Sequence, residues 1–335
     1  MRRLAAVLVL ALSACGRPAP DRDEGLRRAA AWLWARQDRD GGWHSTTYGL
    51  LKSGQSLTPF VLRALLDVPE SLLARPAGGV DRAVEFIRRR LDSEGALGRA
   101  DPELLDYPNY ATALAVQALV RAGRRDDVSR MVACLRNQQF AEHLGWTEDH
   151  PAYGAWGMGG PPRRLPIPGH LDLSMTRHVL EALHDAGVAS DDPAFRKASV
   201  FVKRCQAPDG GFYFSTVVVD GNKAGRDGDS WRSYGTATAD GLLSLAAIGQ
   251  EPARTWLKVH HSPDHVPGFP EIHESNWRQG MFFYYAAAVA KLGFKSDVTT
   301  RQQRDGSFRN SSFLMKEDDP LIATGFAVTA LAAMR

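Results

Sequence analysis

The sequence predicts an all-α fold, an (α/α)6 toroid in which six outer helices surround a ring of six inner helices. Two repeated patterns alternate along the 335 residues and predict this arrangement. One pattern ends each outer segment, and the other runs through each inner segment. Repeats of some tens of residues indicate structural units that bury one another's apolar faces in a closed or stacked architecture.

The first pattern is a Gln, three residues, a Gly, one residue and an aromatic residue. It occurs at residues 37–43, 206–212 and 302–308, with weaker copies at 86–97 and 256–269 and a sixth at 135–146 that has lost the spacing. The segments before these copies, such as VDRAVEFIRRRL, carry charged residues on one face. Amphipathic helices lie at a surface, so these segments are predicted to form the outer layer.

The second pattern is a Thr followed seven residues later by a Leu. The fifth segment has Phe282 at the Thr position, and Val289 seven residues later. These segments are apolar on nearly every face, as in YATALAVQALV and FFYYAAAVA, so they are predicted to form the inner ring. We call the Thr position the Thr slot, and its occupants elsewhere are Thr58, Thr112, Thr176, Thr238 and Thr324.

The connections differ in length at the two ends of the predicted ring. Those from an outer to an inner helix are long, as at residues 41–55, 140–171, 207–234 and 262–278, and the returning ones are short. A functional site is therefore expected at the end where the long loops gather and the inner helices begin. Helix N-termini favour an anion, and six loop Arg and Lys residues lie nearby, although solvated surface positions explain them equally well.

The Gln-x-x-x-Gly-x-aromatic pattern resembles the QW-type repeat of the terpenoid cyclase and protein prenyltransferase superfamily. DLSMT at residues 172–176 and SYGT at 233–236 resemble its bacterial squalene-cyclase-like members. The resemblance covers about residues 24–335 and implies the toroid, with each Gln capping a helix end. It implies no activity, because the DxDD acid motif of class II cyclases is absent and Ser174 stands where prenyltransferases have a zinc-binding Cys. We expect no metal and no cofactor.

Three polar residues occur two positions after the Thr slot on consecutive inner segments. They are His178, Asp240 and Tyr284, and at one height they form a candidate catalytic cluster able to move a proton. The alternative is a buried hydrogen-bond set between packed helices. Five further residues near the same end are candidate ligand-binding residues: Asp172, Tyr234, Arg232, Arg278, and Trp156 in the predicted lid at 146–169. Asp172 is equally explained as a helix cap.

Three functions remain open on this evidence. The first is binding of a hydrophobic, isoprenoid-like or lipid ligand in the toroid, with cyclase-like or transferase-like chemistry. The second is a scaffold without catalysis. The third is polysaccharide cleavage, for which Glu271, Glu274, Asp240, Tyr284 and Arg278 supply suitable groups.

The N-terminus predicts export. A charged start, a short apolar run and small residues indicate a signal peptide over 1–14, and LSAC resembles a lipobox with Cys15 as the acylated residue. A plain secretory signal is the alternative. The expected product has a tether over 15–23, a toroid domain over 24–335 and a membrane-anchored, extracytoplasmic location. Removing Arg2 and Arg3 with the signal peptide lowers the formal charge from +3 to +1, so we expect no nucleic-acid partner. We also expect a monomer. Cys134 and Cys205 are expected to be buried free thiols or to form a disulfide.

Overall fold

The computed structural model describes residues 21–101, 103–270 and 275–335. The predicted signal peptide, Cys15, Glu271 and Glu274 lie outside these residues. Within them the regular secondary structure is helical apart from one short hairpin of β1 (Arg226–Asp227) and β2 (Ser230–Trp231). The helices are α1 (Arg22–Trp34), α2 (Leu57–Leu66), α3 (Gly79–Arg90), α4 (Pro108–Arg121), α5 (Val128–Asn137), α6 (Leu173–Asp185), α7 (Pro193–Arg204), α8 (Gly235–Ala247), α9 (Thr255–His260), α10 (Trp277–Gly280), α11 (Phe282–Lys291) and α12 (Pro320–Ala333).

Six of these helices form a closed inner ring. Helices α2, α4, α6, α8, α11 and α12 each contact the next, and α12 contacts α2 to complete the circle. Helix α12 is buried over most of its length because nearly all its residues are apolar. The predicted all-α toroid is confirmed by this ring and by the helices that surround it.

The outer layer consists of α1, α3, α5, α7 and α9, which pack against the inner helices. Helix α3 shows why they lie outside, since Phe86 and Ile87 are buried while three arginines follow in its last turn. The sixth outer position is a single 3-10 turn, Thr299–Arg301, instead of an α-helix. Its β-branched residues have low helix propensity, which is consistent with the short element.

The repeated Gln residues join neighbouring outer elements. Gln37 donates from Nε2 to the carbonyl oxygens of Gly41, in its own turn, and of Gly79, at the start of α3, at 3.0 and 2.8 Å. Gln302 makes the same pair of bonds to Gly306 and to Gly25 of α1. The last outer element is thereby tied to the first, and this bond contributes to closing the ring.

The sixth copy of the pattern also keeps these bonds, which corrects its predicted position. Gln139 donates to the carbonyl oxygens of Gly154 and Ala194 at 3.0 and 2.9 Å. The Gly-x-aromatic part of this copy is therefore Gly154 to Trp156, and not the predicted end at Trp146. An insertion between Gln139 and Gly154 hides the spacing in the sequence.

The Thr slot has a single structural role throughout the ring. In all five Thr-containing copies, the side-chain oxygen accepts a hydrogen bond from the backbone N–H of the residue at the aromatic position of the preceding repeat. Each Thr thus satisfies a buried backbone donor that packing would otherwise leave unpaired. The pairs are Trp43 with Thr58, Leu97 with Thr112, Trp156 with Thr176, Phe212 with Thr238, and Phe308 with Thr324, at 2.9 to 3.2 Å.

Cys134 and Cys205 are both buried and free, which agrees with the free-thiol alternative. In the described part of the chain, no helix has the length and apolar character needed to cross a bilayer.

Candidate functional site

A cavity of about 220 Å³ lies at the end of the ring where the inner helices begin. Its walls are mainly apolar, and five aromatic side chains contribute to them: Phe60, Tyr107, Tyr110, Tyr284 and Phe326. Phe326 packs edge-on against Phe60 and Tyr284, with ring centroids 4.8 and 5.3 Å away. We call this space the aromatic cavity. It is framed by the long loops, as the connection lengths predict.

The structure brings Asp240 and Tyr284 of the predicted cluster into direct contact. The Tyr284 hydroxyl donates to Asp240 Oδ1 at 2.7 Å and lies 2.7 Å from Ser174 Oγ. Tyr284 and Ser174 line the aromatic cavity, whereas Asp240 is buried behind them. A bound molecule would therefore meet the tyrosine hydroxyl and the serine before the aspartate.

His178 lies beside this pair without a hydrogen bond to either member. Its Nδ1 is 2.8 Å from the carbonyl oxygen of Ser174, and its Nε2 is 3.0 Å from the Tyr110 hydroxyl. A carbonyl oxygen only accepts, so Nδ1 carries the proton and Nε2 accepts from Tyr110. Burial and the nearby Arg177 guanidinium hold the pKa of His178 well below its usual range, so the ring is neutral.

Three charged residues continue from Asp240 along the axis of the ring. Arg177 Nη1 is 2.9 Å from Asp240 Oδ1, Arg177 Nε is 3.2 Å from Glu181 Oε1, and Lys291 Nζ is 3.1 Å from both Glu181 oxygens. We call Asp240, Arg177, Glu181 and Lys291 the axial ion network. Burial raises the pKa of Asp240 to about 6, against the opposing effects of Arg177 and Tyr284, and lowers that of Lys291 to about 7.

A second buried acid, Glu317, lies on the wall of the aromatic cavity itself. Its carboxylate accepts hydrogen bonds from the backbone N–H groups of Phe283 and Tyr284 and from Asn310 Nδ2, at 2.8 to 3.1 Å. These bonds favour the ionised form, but burial outweighs them and raises the pKa of Glu317 to about 7. A carboxyl group that titrates near neutrality is suited to give a proton to a bound molecule.

The five predicted ligand-binding residues do not line this cavity as the structure describes it. Asp172 caps α6 by accepting from the Met175 N–H at 2.7 Å, as the capping alternative predicts. Tyr234 is buried at the start of α8 against Phe269.

The other three candidates are also placed elsewhere. Trp156 is fully buried and donates from its indole N–H to the carbonyl oxygen of Leu135 at 2.7 Å, so it is the architectural aromatic of its repeat. Arg232 lies in the loop beside Asp227, and Arg278 donates to His265 Nε2 at 2.8 Å. The loop at 146–169, which was predicted to be a lid, contributes Met158 to the wall of the aromatic cavity.

The expected anion site at the inner-helix N-termini is occupied by the protein's own carboxylates. Asp106 accepts from the Ser56 N–H before α2, and Asp172 and Asp319 cap α6 and α12. Glu317 occupies the start of α11. Four of the six N-termini are thereby satisfied internally, which removes the main argument for an anion site here.

Sequence reasoning missed Arg63, Arg177, Glu181, Lys291 and Glu317. The first four had a visible signal, because a charged residue inside an otherwise apolar inner helix requires a partner or a function. In the described residues, no group of three or more His, Cys, Asp or Glu side chains is placed to hold a metal ion.

Comparison with known proteins gives both sequence and structural relatives. The chain is 26% identical over 249 residues to the probable squalene–hopene cyclase of Sinorhizobium fredii strain NGR234, covering 73% of this chain but only 30% of that protein. It therefore spans less than a third of the relative's length. No family model matches the chain.

Solved structures share the architecture over nearly the full chain. A variant of the type II terpene cyclase MstE from Scytonema, in complex with geranylgeranyl dihydroxybenzoate, superposes with a TM-score of 0.59 at 13% identity, covering 93% of this chain and 97% of MstE. The α-1,6-mannanase GH76A of Salegentibacter has a TM-score of 0.54 at 12% identity, with 94% and 99% covered. At these identities the structural likeness concerns the fold alone. The repeat pattern, the sequence relative and the closed ring together support a terpenoid-cyclase-like α/α-toroid superfamily for this chain.

Proposed function

We propose that this protein binds part of a hydrophobic, isoprenoid-like or lipid molecule in the aromatic cavity. The observation that carries the proposal is the cavity's wall of Phe60, Tyr110, Tyr284 and Phe326. Its volume of about 220 Å³ is below the ~300 to 1,000 Å³ of ordinary small-molecule pockets, so it accommodates one end of a long chain. The squalene–hopene cyclase and terpene cyclase names of the relatives are consistent with such a ligand.

The surface around the cavity supports the proposal that the ligand comes from a lipid layer. In the described chain, eight large apolar side chains are exposed, and all but Val259 lie on the long loops at this end of the ring. Apolar side chains exposed together at one end of a molecule are consistent with a membrane or partner contact at that end. The side chains are Leu104, Leu105, Leu165, Ile167, Val219, Phe313 and Met315.

The proposed setting is a membrane surface outside the cytoplasm, to which an acylated Cys15 holds the mature chain. In that position the loops could contact lipid while the toroid remains in water. Glu317 is the group that would donate a proton to the bound chain in a cyclase-like reaction, because it lines the cavity and Asp240 does not.

Mass spectrometry of lipids extracted from protein purified from its native membrane tests the proposal. We expect an isoprenoid or lipid with the wild type, and at least a tenfold loss with Phe326→Trp, because the larger ring fills the cavity. Val259→Trp is the matched control, since it adds the same ring on the outer helix α9. Cys15→Ser in the same preparation should release the protein from the membrane.

Two results would contradict the proposal. One is recovery of no lipid from the wild type, and the other is equal recovery from the wild type and Phe326→Trp. A Cys15→Ser protein that stays lipid-labelled would disprove the anchor alone.

A further inference from the structure

A second cavity, of about 580 Å³, lies at the opposite end of the ring, where the inner helices end. Its walls combine small apolar side chains, such as Ala247, Ala290 and Ala333, with the charged residues Glu181 and Lys291. We call it the polar cavity. The axial ion network reaches from its floor to Tyr284 on the wall of the aromatic cavity, so charged side chains lie between the two spaces.

A guanidinium group with unused donors is buried beside the polar cavity, next to Thr329 of its wall. Arg63 on α2 is 4% exposed, and in the described chain its Nε and Nη1 have no hydrogen-bond partner. Nη2 has only a long contact, 3.5 Å, to Thr329 Oγ1. Arg63 occupies the same repeat position as Gln117, Glu181 and Thr329, five residues after the Thr slot, and those three line the polar cavity.

Gln117 on the neighbouring helix α4 has an unpaired acceptor, whereas Arg63 has unpaired donors. Its Nε2 donates to Asp185 Oδ2 at 2.9 Å, but its buried Oε1 accepts from no group in the residues described. Leaving a buried polar atom unpaired costs about 1 to 3 kcal/mol. Two such sites at one level of the ring, one donating and one accepting, indicate a polar ligand that both accepts and donates.

The charges around the cavity select a ligand without net charge. The cavity is lined by Arg121 and Lys291 and by the carboxylates Asp67, Glu181 and Asp185. Arg63 beside the wall interacts with Asp67 and Glu181 and makes the two signs equal in number. The C-termini of the inner helices also meet here and disfavour an anion while favouring a cationic group. An anion alone would suit Arg63 but not Gln117 and the helix ends, and a cation alone would leave Arg63 unpaired.

We propose that the polar cavity binds a zwitterion that carries a carboxylate and an ammonium group, namely an α-amino acid with an apolar side chain. The carboxylate accepts from Arg63, the ammonium donates to Gln117 Oε1, and the side chain lies against the small apolar wall. The site is separate from the aromatic cavity and does not depend on what binds there.

Isothermal titration of the full chain with alanine, valine and leucine tests the proposal. The two halves of leucine, 4-methylpentanoate and 3-methylbutylamine, are the discriminating probes. At least one amino acid is expected to saturate the site, and each half-molecule should bind roughly tenfold to a hundredfold more weakly than leucine, because a charge-assisted hydrogen bond is lost. Saturation by no amino acid, or equal binding of a half-molecule, would overturn the proposal.

Substitutions assign the binding to this cavity. Arg63→Met is expected to fold, because it removes a buried charge that lacks a partner, and to lower amino-acid affinity at least about tenfold. Gln117→Leu should weaken leucine but leave 4-methylpentanoate unchanged. Phe326→Trp is the control and should not affect the titration. Binding retained in both Arg63→Met and Gln117→Leu would place the amino acid elsewhere and contradict the assignment.

Discussion

The two ends of the ring are built from the same six helices but differ in their chemistry. Where the helices begin, aromatic side chains enclose a small cavity under long loops; where they end, charged and small residues line a larger one under short loops. The positions that hold the backbone together, such as the Thr slot, are the same in nearly every repeat. The axis-facing positions vary from helix to helix, so one scaffold supports two unlike sites.

The axial ion network is the boundary between these sites, and breaking it should have the largest effect. Asp240→Ala leaves the buried Arg177 with only Glu181 as an ionic partner. Removing one member of a buried pair costs about 3 to 5 kcal/mol. We expect the free energy of unfolding in urea to fall by this amount.

A double variant shows whether the charge itself is the cause. Asp240→Leu combined with Arg177→Met removes both partners and should be more stable than Asp240→Leu alone. If the double variant loses the sum of the two single losses in the free energy of unfolding, then side-chain shape, and not the ion pair, maintains the boundary.

Substitutions of two threonines compare a repeated structural contact of the Thr slot with a side chain on the wall of the polar cavity. Thr58 accepts from the buried Trp43 N–H at 3.1 Å, and Thr58→Val leaves that donor unpaired, at a cost of about 1 to 3 kcal/mol. Thr329 donates to the Gly325 carbonyl within its own helix at 3.0 Å and accepts only a long contact, 3.5 Å, from Arg63 Nη2. Thr329→Val should therefore cost under about 1 kcal/mol. Thermal unfolding of both variants measures the difference; equal losses would show that the Thr slot has no special role.

The sequence was sufficient for the ring because its repeats record contacts that every unit makes. A Gln bonded to the next outer element and a Thr bonded to the preceding aromatic position recur at fixed spacings. The same regularity placed Asp240 and Tyr284 at one height, where they are hydrogen-bonded. It failed at Trp156, since the insertion after Gln139 separates the two parts of that repeat.

The side chains that line or adjoin the two cavities could not be derived from the repeats in the same way. Glu317 reaches the start of α11 from a loop 33 residues beyond Tyr284, and no repeat encodes that contact. Arg63 was visible as a charge in an apolar helix, but its lack of a partner depends on side-chain directions across the ring. Such contacts are specific to one helix pair, whereas the fold depends on those shared by all.

The two ends should respond to pH with opposite signs. Burial raises the pKa of Glu317 from 4.5 to about 7, so its favourable contribution is present below pH 4.5 and is lost as the pH rises to about 7. Burial lowers the pKa of Lys291 from 10.5 to about 7, so its contribution is present above pH 10.5 and is lost as the pH falls to about 7. Each group changes the free energy of unfolding by at most about 1.4 kcal/mol per pH unit.

Urea midpoints measured at unit steps from pH 5 to pH 10 separate the two contributions. Glu317→Gln should flatten the fall in stability between pH 6 and 7 but not remove it, because Asp240, with a pKa of about 6, is half ionised at pH 6 and completes most of its ionisation by pH 7. Lys291→Met should flatten the rise above pH 7 and leave the acidic side unchanged. If Glu317→Gln kept the wild-type slope between pH 6 and 7, the carboxyl at the aromatic cavity would already be ionised there, as its three N–H donors favour, and could not act as an acid at neutral pH.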